Sequence, residues 1–422
     1  MKKLLFFITI FGVVIFLSCH KESPNEPPQV TIRPQVDIPW PSLANSPWPM
    51  FHHDPQSTGR SQYTGPRKGR IKWVFYPDNN AQIYPGIIIG SDSTIYFTTK
   101  YEKTVQGHNS FLYAIRPDGT LKWKYKFDSP YAPETSVPLI AADGTIFIAG
   151  GGSDHYLYAI NADGTLKWKR YASITSSLNI GLDGTLYFRG GDGYLNAMSQ
   201  DGVLLWKTTI DQGFYYYGIS LSPDSKTIYL FNKITPPNLQ GYISSLCAVG
   251  TDGVLRWKYA PGDSFLCLAS PLVDSDGNIY FGAEGTPLYN SKIYSISADG
   301  KLNWSYRCGG GCGSEDPTMD RYGYLYIHAW LENMAIISLD YEGNFRWQDE
   351  QNKYPYAANI CDNEGVVYIF QPDVTAYDSH GELLWQLPLE GRISRIASPA
   401  IGYNGILYVG TYGDTNKLYA IE

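Results

Sequence analysis

The chain has 422 residues, 17% of them charged, and a formal net charge of −7 at pH 7. Its 42 glycines, 27 prolines and 35 tyrosines fit many short strands and turns better than long helices. The acidic balance excludes nucleic acid as a partner, because that role needs a basic stripe able to displace counterions.

Met1-Lys2-Lys3 is a short basic start, an apolar run follows from Leu4 to Leu17, and Ser18-Cys19 stands where a signal peptidase would cut. The run is shorter than the roughly 18 to 20 residues of a membrane-spanning helix, so residues 1–18 read as a signal sequence. Phe16-Leu17-Ser18-Cys19 resembles a bacterial lipobox, which implies that Cys19 carries lipid. His20 after it implies, by resemblance to lipoprotein sorting, the outer membrane. Eight prolines fall between His20 and Pro49, and they favour an extended, semi-stiff spacer. The expected division is a signal over 1–18, a Pro-rich tether over 19–45 and one domain over 46–422.

Within that domain residues 46–67, with His52-His53-Asp54, read as a segment capping one face, and 69–76 as a closing strand. A phrase then recurs: an alternating apolar strand, an Asp-Gly turn and a strand bearing tryptophan. Its clearest copies are Tyr113 to Trp123, Tyr158 to Trp168 and Tyr294 to Trp304, and weaker ones end at Trp206, Trp257, Trp347 and Trp385. Trp73 lacks the preceding strand, and Lys417 to Glu422 lacks its tryptophan, so the two ends of the chain complete one copy. Upstream of each phrase lies a second hairpin, as in Val137 to Ile148 and Pro271 to Phe281. Asp-Gly between alternating apolar runs signals a tight hairpin, which makes four strands per repeat. Seven steps from Trp73 to Trp385 average about 45 residues, the repeat length of four-stranded propeller blades. The expected fold is all-β, an eight-bladed β-propeller closed by pairing of the N-terminal strand with the C-terminal blade. A tryptophan at one fixed place per repeat is inter-blade packing rather than eight ligand sites.

The phrase Tyr-Ala-Ile-x-x-Asp-Gly-x-Leu-x-Trp resembles the repeats of the PQQ-like (quinoprotein-type) propeller family, and Trp48 to Ser61 is similar to the segment that often precedes them. WD repeats would place Asp after the Trp, where this chain has Val, Lys, Ser or Gln. Sialidase Asp-boxes place their Gly two after the Asp, where Gly119, Gly164 and Gly300 come one after. Among lipid-anchored members the chain resembles the scaffold lipoprotein of the outer-membrane β-barrel assembly machine. That resemblance implies an envelope scaffold holding other proteins, and it departs in the long Pro-rich tether and the His-His-Asp segment. The family's dehydrogenases bind PQQ over the central channel, hold calcium with Glu, Asn and Asp, and carry adjacent cysteines. No Cys-Cys pair occurs here, and the blade turns are one residue tighter than theirs.

Other chemistry has few candidates. Cys308 and Cys312, separated by three glycines, are placed to form a disulfide in an oxidising compartment; a thiolate metal site is the alternative, without a second pair at zinc spacing. Cys247 and Cys267 read as core. Asp274, Asp276 and Asn278 look like the start of a calcium loop, but Gly277 comes too early, and hairpin chemistry is the alternative. The nucleophile elbow, the zinc-protease helix motif and the phosphate loop are all missing. Longer connections at Lys100 to Ser110, Lys233 to Gly241 and Glu284 to Lys292 vary on a repeated scaffold, where a partner would be read. Tyr216 and Trp330 are the candidate contacts. The expectation is a monomeric, cofactor-free platform for envelope proteins, tied to the membrane by its lipid. A carbohydrate or small-molecule binder is the alternative, followed by a dehydrogenase using PQQ and calcium.

Overall fold

The computed structural model describes residues 30–100, 110–128, 136–150, 154–210, 218–234, 243–262, 265–267, 269–285, 287–312, 316–330, 334–351, 357–393, 398–413 and 415–422. Residues 1–18, expected to be a signal sequence, Cys19 and Tyr216 lie outside them. Residues 31–422 form one compact unit. Among the described residues no helix is long and apolar enough to cross a membrane.

The first repeat shows why the sequence folds as it does. Gln82–Ile89, Ile95–Lys100, Phe111–Ile115 and Leu121–Lys126 pair antiparallel in chain order. Ile95 to Thr99 and Leu112 to Ile115 are buried, whereas Leu121 to Lys126 alternate exposed and half-buried. The middle strands are thus sandwiched between neighbouring blades and the outer strand meets water on its edge. The same order repeats at 139–171, 179–209, 220–259, 265–307, 311–351 and 360–388, giving blades 2 to 7.

Blade 8 is built from both ends of the chain. Arg392–Ile393, Ala400–Ile401, Leu407–Tyr412 and Leu418–Ile421 supply the inner strands, and Ile71–Phe75 pairs with Leu418–Ile421 as the outer strand. Arg70 and Glu422 exchange backbone hydrogen bonds of 3.0 and 2.8 Å at the seam. The ring therefore has eight blades and closes as the repeat pattern required.

Each of the eight tryptophans occupies the same niche. Its ring lies 5.7 to 6.0 Å from an aromatic on its own blade's second strand, as in Tyr96 with Trp123 and Tyr187 with Trp206. Its indole N–H donates to a carbonyl in the next blade's turn: Trp73 to Pro117, Trp123 to Ala162, Trp168 to Gln200, Trp206 to Thr251, Trp257 to Ala298, Trp304 to Tyr341 and Trp347 to Ser379. Trp385 donates to Pro66, because blade 8 has no Asp-Gly turn and residues 66–69 stand in for it. The turn glycine is needed twice over. Gly164 has φ of 89°, and a Cβ there would lie 2.7 Å from the Trp123 ring.

Blades 5, 6 and 7 carry a further lock. Asp274, Asp320 and Asp362, all buried, accept hydrogen bonds from the hydroxyls of Tyr280, Tyr326 and Tyr368, six residues on. Asp274 also accepts from the backbone of Asp276 and Asn278 and from Tyr341. Its oxygens are engaged in holding a hairpin, and that is how the segment that looked like a calcium loop is used.

Candidate functional site

Strand order gives the ring two rims. The turns between first and second strands, and between third and outer strands, lie at one rim, the turn face. The loops between second and third strands and the connections between blades lie at the other, the loop face.

The turn face is covered by the chain's own N-terminal segment. Arg33 and Gln35 donate backbone hydrogen bonds to Tyr322 and Arg321 of blade 6, the Trp40 indole donates to Ile180 of blade 3, and Ala44 donates to Ile140 of blade 2. Asp37 accepts from Arg60 at 3.0 and 3.2 Å. Docking thus starts at residue 31, earlier than the boundary at 45 and 46 that proline content suggested. The prolines set an extended path, and Trp40 and Leu43 supply the apolar surface that fixes it to the ring.

Residues 48–61 then go further and enter the axis. Trp48 accepts from Ile89 of blade 1, Pro49 from Ile140 of blade 2, and Pro55 from Asn179 of blade 3 and Leu221 of blade 4. Gln56 accepts from Val273 of blade 5, Thr58 from Met319 of blade 6 and Gly59 from Cys361 of blade 7, and His52 donates to Ser398 of blade 8. A stretch that touches the innermost strand of every blade lies on the axis. Trp48 and His52 are completely buried there. His52, His53 and Ser57 have φ of 53°, 75° and 56°, a left-handed conformation that costs on the order of 1 kcal/mol or more for each non-glycine residue. Asp54 holds this coil together, accepting from the backbone of Gln56 and Thr58 at 3.1 Å, from the Thr58 hydroxyl and from His53 Nδ1. Burial pushes its carboxyl up, but these partners outweigh burial and hold it below the usual range.

The other buried polar and thiol groups are quiet. His328 Nε2 lies 2.7 Å from Asn359 Oδ1, and burial pushes the imidazole down to about 4, so it is neutral at physiological pH. Cys247, Cys267 and Cys361 are buried thiols outside any disulfide, and burial pushes the last two up, away from reactivity. Cys308 and Cys312 are joined by a disulfide. Among the described residues no cluster of three or more metal-ligating side chains exists. At the turn end the axis is filled by residues 48–61.

The loop face is where the sequence placed its partner contacts. Trp330, at the end of blade 6's second strand, is 42% exposed. Leu288, on the blade 5 loop between Glu284 and Lys292, is 50% exposed. Both flank Gly311, whose Cβ position would meet Trp330 Cβ at 3.4 Å and Leu288 Cδ2 at 3.7 Å, so they form one patch beside the disulfide. The connections at 101–109 and 235–242 lie outside the described residues. Exposed apolar side chains also recur two places before each tryptophan, such as Leu121, Leu166 and Leu302. That belt belongs to the repeat, whereas the Leu288 and Trp330 patch belongs to two blades.

Comparison with known proteins agrees with this geometry. Residues 63–221 match the profile of the family described as outer membrane protein assembly factor BamB. The ring has the quinoprotein-type propeller fold. It is similar to quinohemoprotein alcohol dehydrogenase from Comamonas testosteroni at a TM-score of 0.69, with 13% identity over 92% of this chain and 82% of that one. It is similar to BamB from Moraxella catarrhalis at 0.59, with 12% identity over 83% and 99%. The C-terminal WD40 domain of Sif2 matches at a TM-score of 0.61 with 9% identity over 84% of this chain and 99% of that one. No curated protein sequence matches the chain.

Proposed function

We propose that the protein is a non-catalytic lipoprotein of a bacterial cell envelope, anchored through Cys19, that binds other envelope proteins on its loop face. The carrying observation is the asymmetry of the ring. Its own chain covers the turn face and fills the axis, while the loop face presents Trp330 and Leu288 on a disulfide-braced edge. Aromatic anchors on a rigid support are what protein interfaces use as hot spots. The family profile and the Moraxella neighbour both belong to an outer-membrane assembly factor, which supports the envelope and the scaffold role. The similarity to alcohol dehydrogenases is one of fold, and a shared fold hosts many activities.

The test is affinity capture of envelope proteins by the mature chain, with Trp330→Ala alongside and Leu302→Ala, from the repeat belt, as control. Trp330→Ala should lower recovery of specific partners about tenfold, an effect of about 1.4 kcal/mol, while Leu302→Ala leaves it unchanged. Equal recovery by all three would move the interface off this face.

A further inference from the structure

The segment that covers the turn face leaves a cavity of about 570 Å³ beneath it, between residues 38–49 above and 53–63 below. Trp40, Asn45, Ser46, His53, Asp54 and Tyr63 are among its walls. His53 is 7% exposed, its ring edge packs against Trp48 at 5.0 Å, and its Nδ1 faces the Asp54 carboxylate at 3.3 Å. A carboxylate at Nδ1 fixes the proton there, so Nε2 keeps its lone pair as an acceptor. The Ser46 hydroxyl is buried in the same wall without a hydrogen-bond partner. Buried polar groups normally find partners, and this hydroxyl belongs to a cavity wall that also carries His53, from the strained turn at His52 and His53. Strain of that kind persists where the surroundings impose it, and it marks functional positions.

Gln62 and Tyr63 are also a wall of a second, more open groove of about 660 Å³, lined on its far side by Asn363, Tyr403, Asn404 and Glu422. The Tyr63 and Tyr403 rings meet edge to face at 5.1 Å. Charge in the pair of hollows is balanced: Asp54 is answered by Arg60, and Glu422 shares the groove with Lys72. Aromatic faces, side-chain amides, an imidazole acceptor and an unpartnered hydroxyl, without net charge, suit a neutral ligand rich in hydroxyls whose C–H faces can lie on a ring. Cavities of this size hold ligands larger than one such ring.

We propose that the turn face is a saccharide site. One sugar ring sits under Trp40 and donates a hydroxyl to His53 Nε2, and the next passes Tyr63 into the groove against Tyr403. This site is independent of partner binding on the loop face, so failure of the capture experiment leaves it standing.

The test is calorimetric titration of the mature chain with chitotetraose, maltotetraose and cellotetraose, followed by hydrogen exchange with the best binder. At least one should bind saturably, and Tyr63→Ala and Tyr403→Ala should each weaken it about tenfold or more without lowering the melting temperature, while Trp330→Ala has no effect. Bound saccharide should slow exchange in residues 38–65 and 403–406 of the unaltered chain, a readout that needs no variant to fold. Absence of saturable binding by all three up to about 10 mM, or protection confined to the loop face, would overturn the proposal.

Discussion

At the scale of single residues, the tryptophan niche explains the chain's repetition. One side chain covers an aromatic in its own blade, donates to the next blade's turn and lies under that turn's glycine, so strand, turn and neighbour constrain one another. The buried aspartates are less uniform. Burial pushes Asp320 up to about 6, against hydrogen bonds from Tyr324 and Tyr326 that favour its charge. The folded value lies above the value near 3.8 of the open chain, so the folded state binds this proton more tightly. Its stabilising share is fully present below the open-chain value and is lost as pH rises through about 6, a swing of about 3 kcal/mol. His328 runs the other way: its value is lowered to about 4, and its share is lost as pH falls through that value. The two oppose each other in the parent, so the difference between parent and variant isolates Asp320. Asp320→Asn, which does not ionise, should gain stability relative to the parent by about 2 to 3 kcal/mol as pH rises from about 4 to about 7. Urea midpoints across that range check it; a constant difference would contradict it.

At the scale of elements, the stretch from Trp48 to Ser61 gives the eight blades a common partner on the axis. Trp48 has no exposed surface, and Trp48→Ala should cost about 3 to 5 kcal/mol. Hydrogen exchange should show the backbone of residues 55–61 in the parent protected like the inner strands, with that protection reduced in the variant. Exchange at the rate of an open loop in the parent would deny the axial placement. The blade strands and the closing strand were legible in the sequence because period-two alternation and Asp-Gly turns are local signals. The axial path was half legible: His52 and His53 marked a cap, but nothing local says that a loop will meet eight strands far apart in the chain. Proline content at 31–45 signalled an extended backbone, which a free spacer and a docked strap share. Trp40 and Leu43 were the cue for docking, since a solvated tether has little use for buried apolar groups.

At the scale of the whole molecule, the ring is asymmetric in use although nearly symmetric in build. Its N-terminal strand closes blade 8, the stretch before that fills the axis, and the residues before those cover one face. Site chemistry was the least legible part. Trp330 was found by being an unusual residue at a loop, but Leu288, Tyr403 and the hollow over His53 come together only through folding. The central claim is that this quinoprotein-type ring works by surface binding, with its axis taken up by its own chain. It is tested most directly by incubating the mature protein with PQQ and calcium, removing free ligand, and recording the ultraviolet-visible spectrum and the calcium content. The expected result is a spectrum without quinone and calcium well below one per chain; stoichiometric quinone with bound calcium would contradict the account.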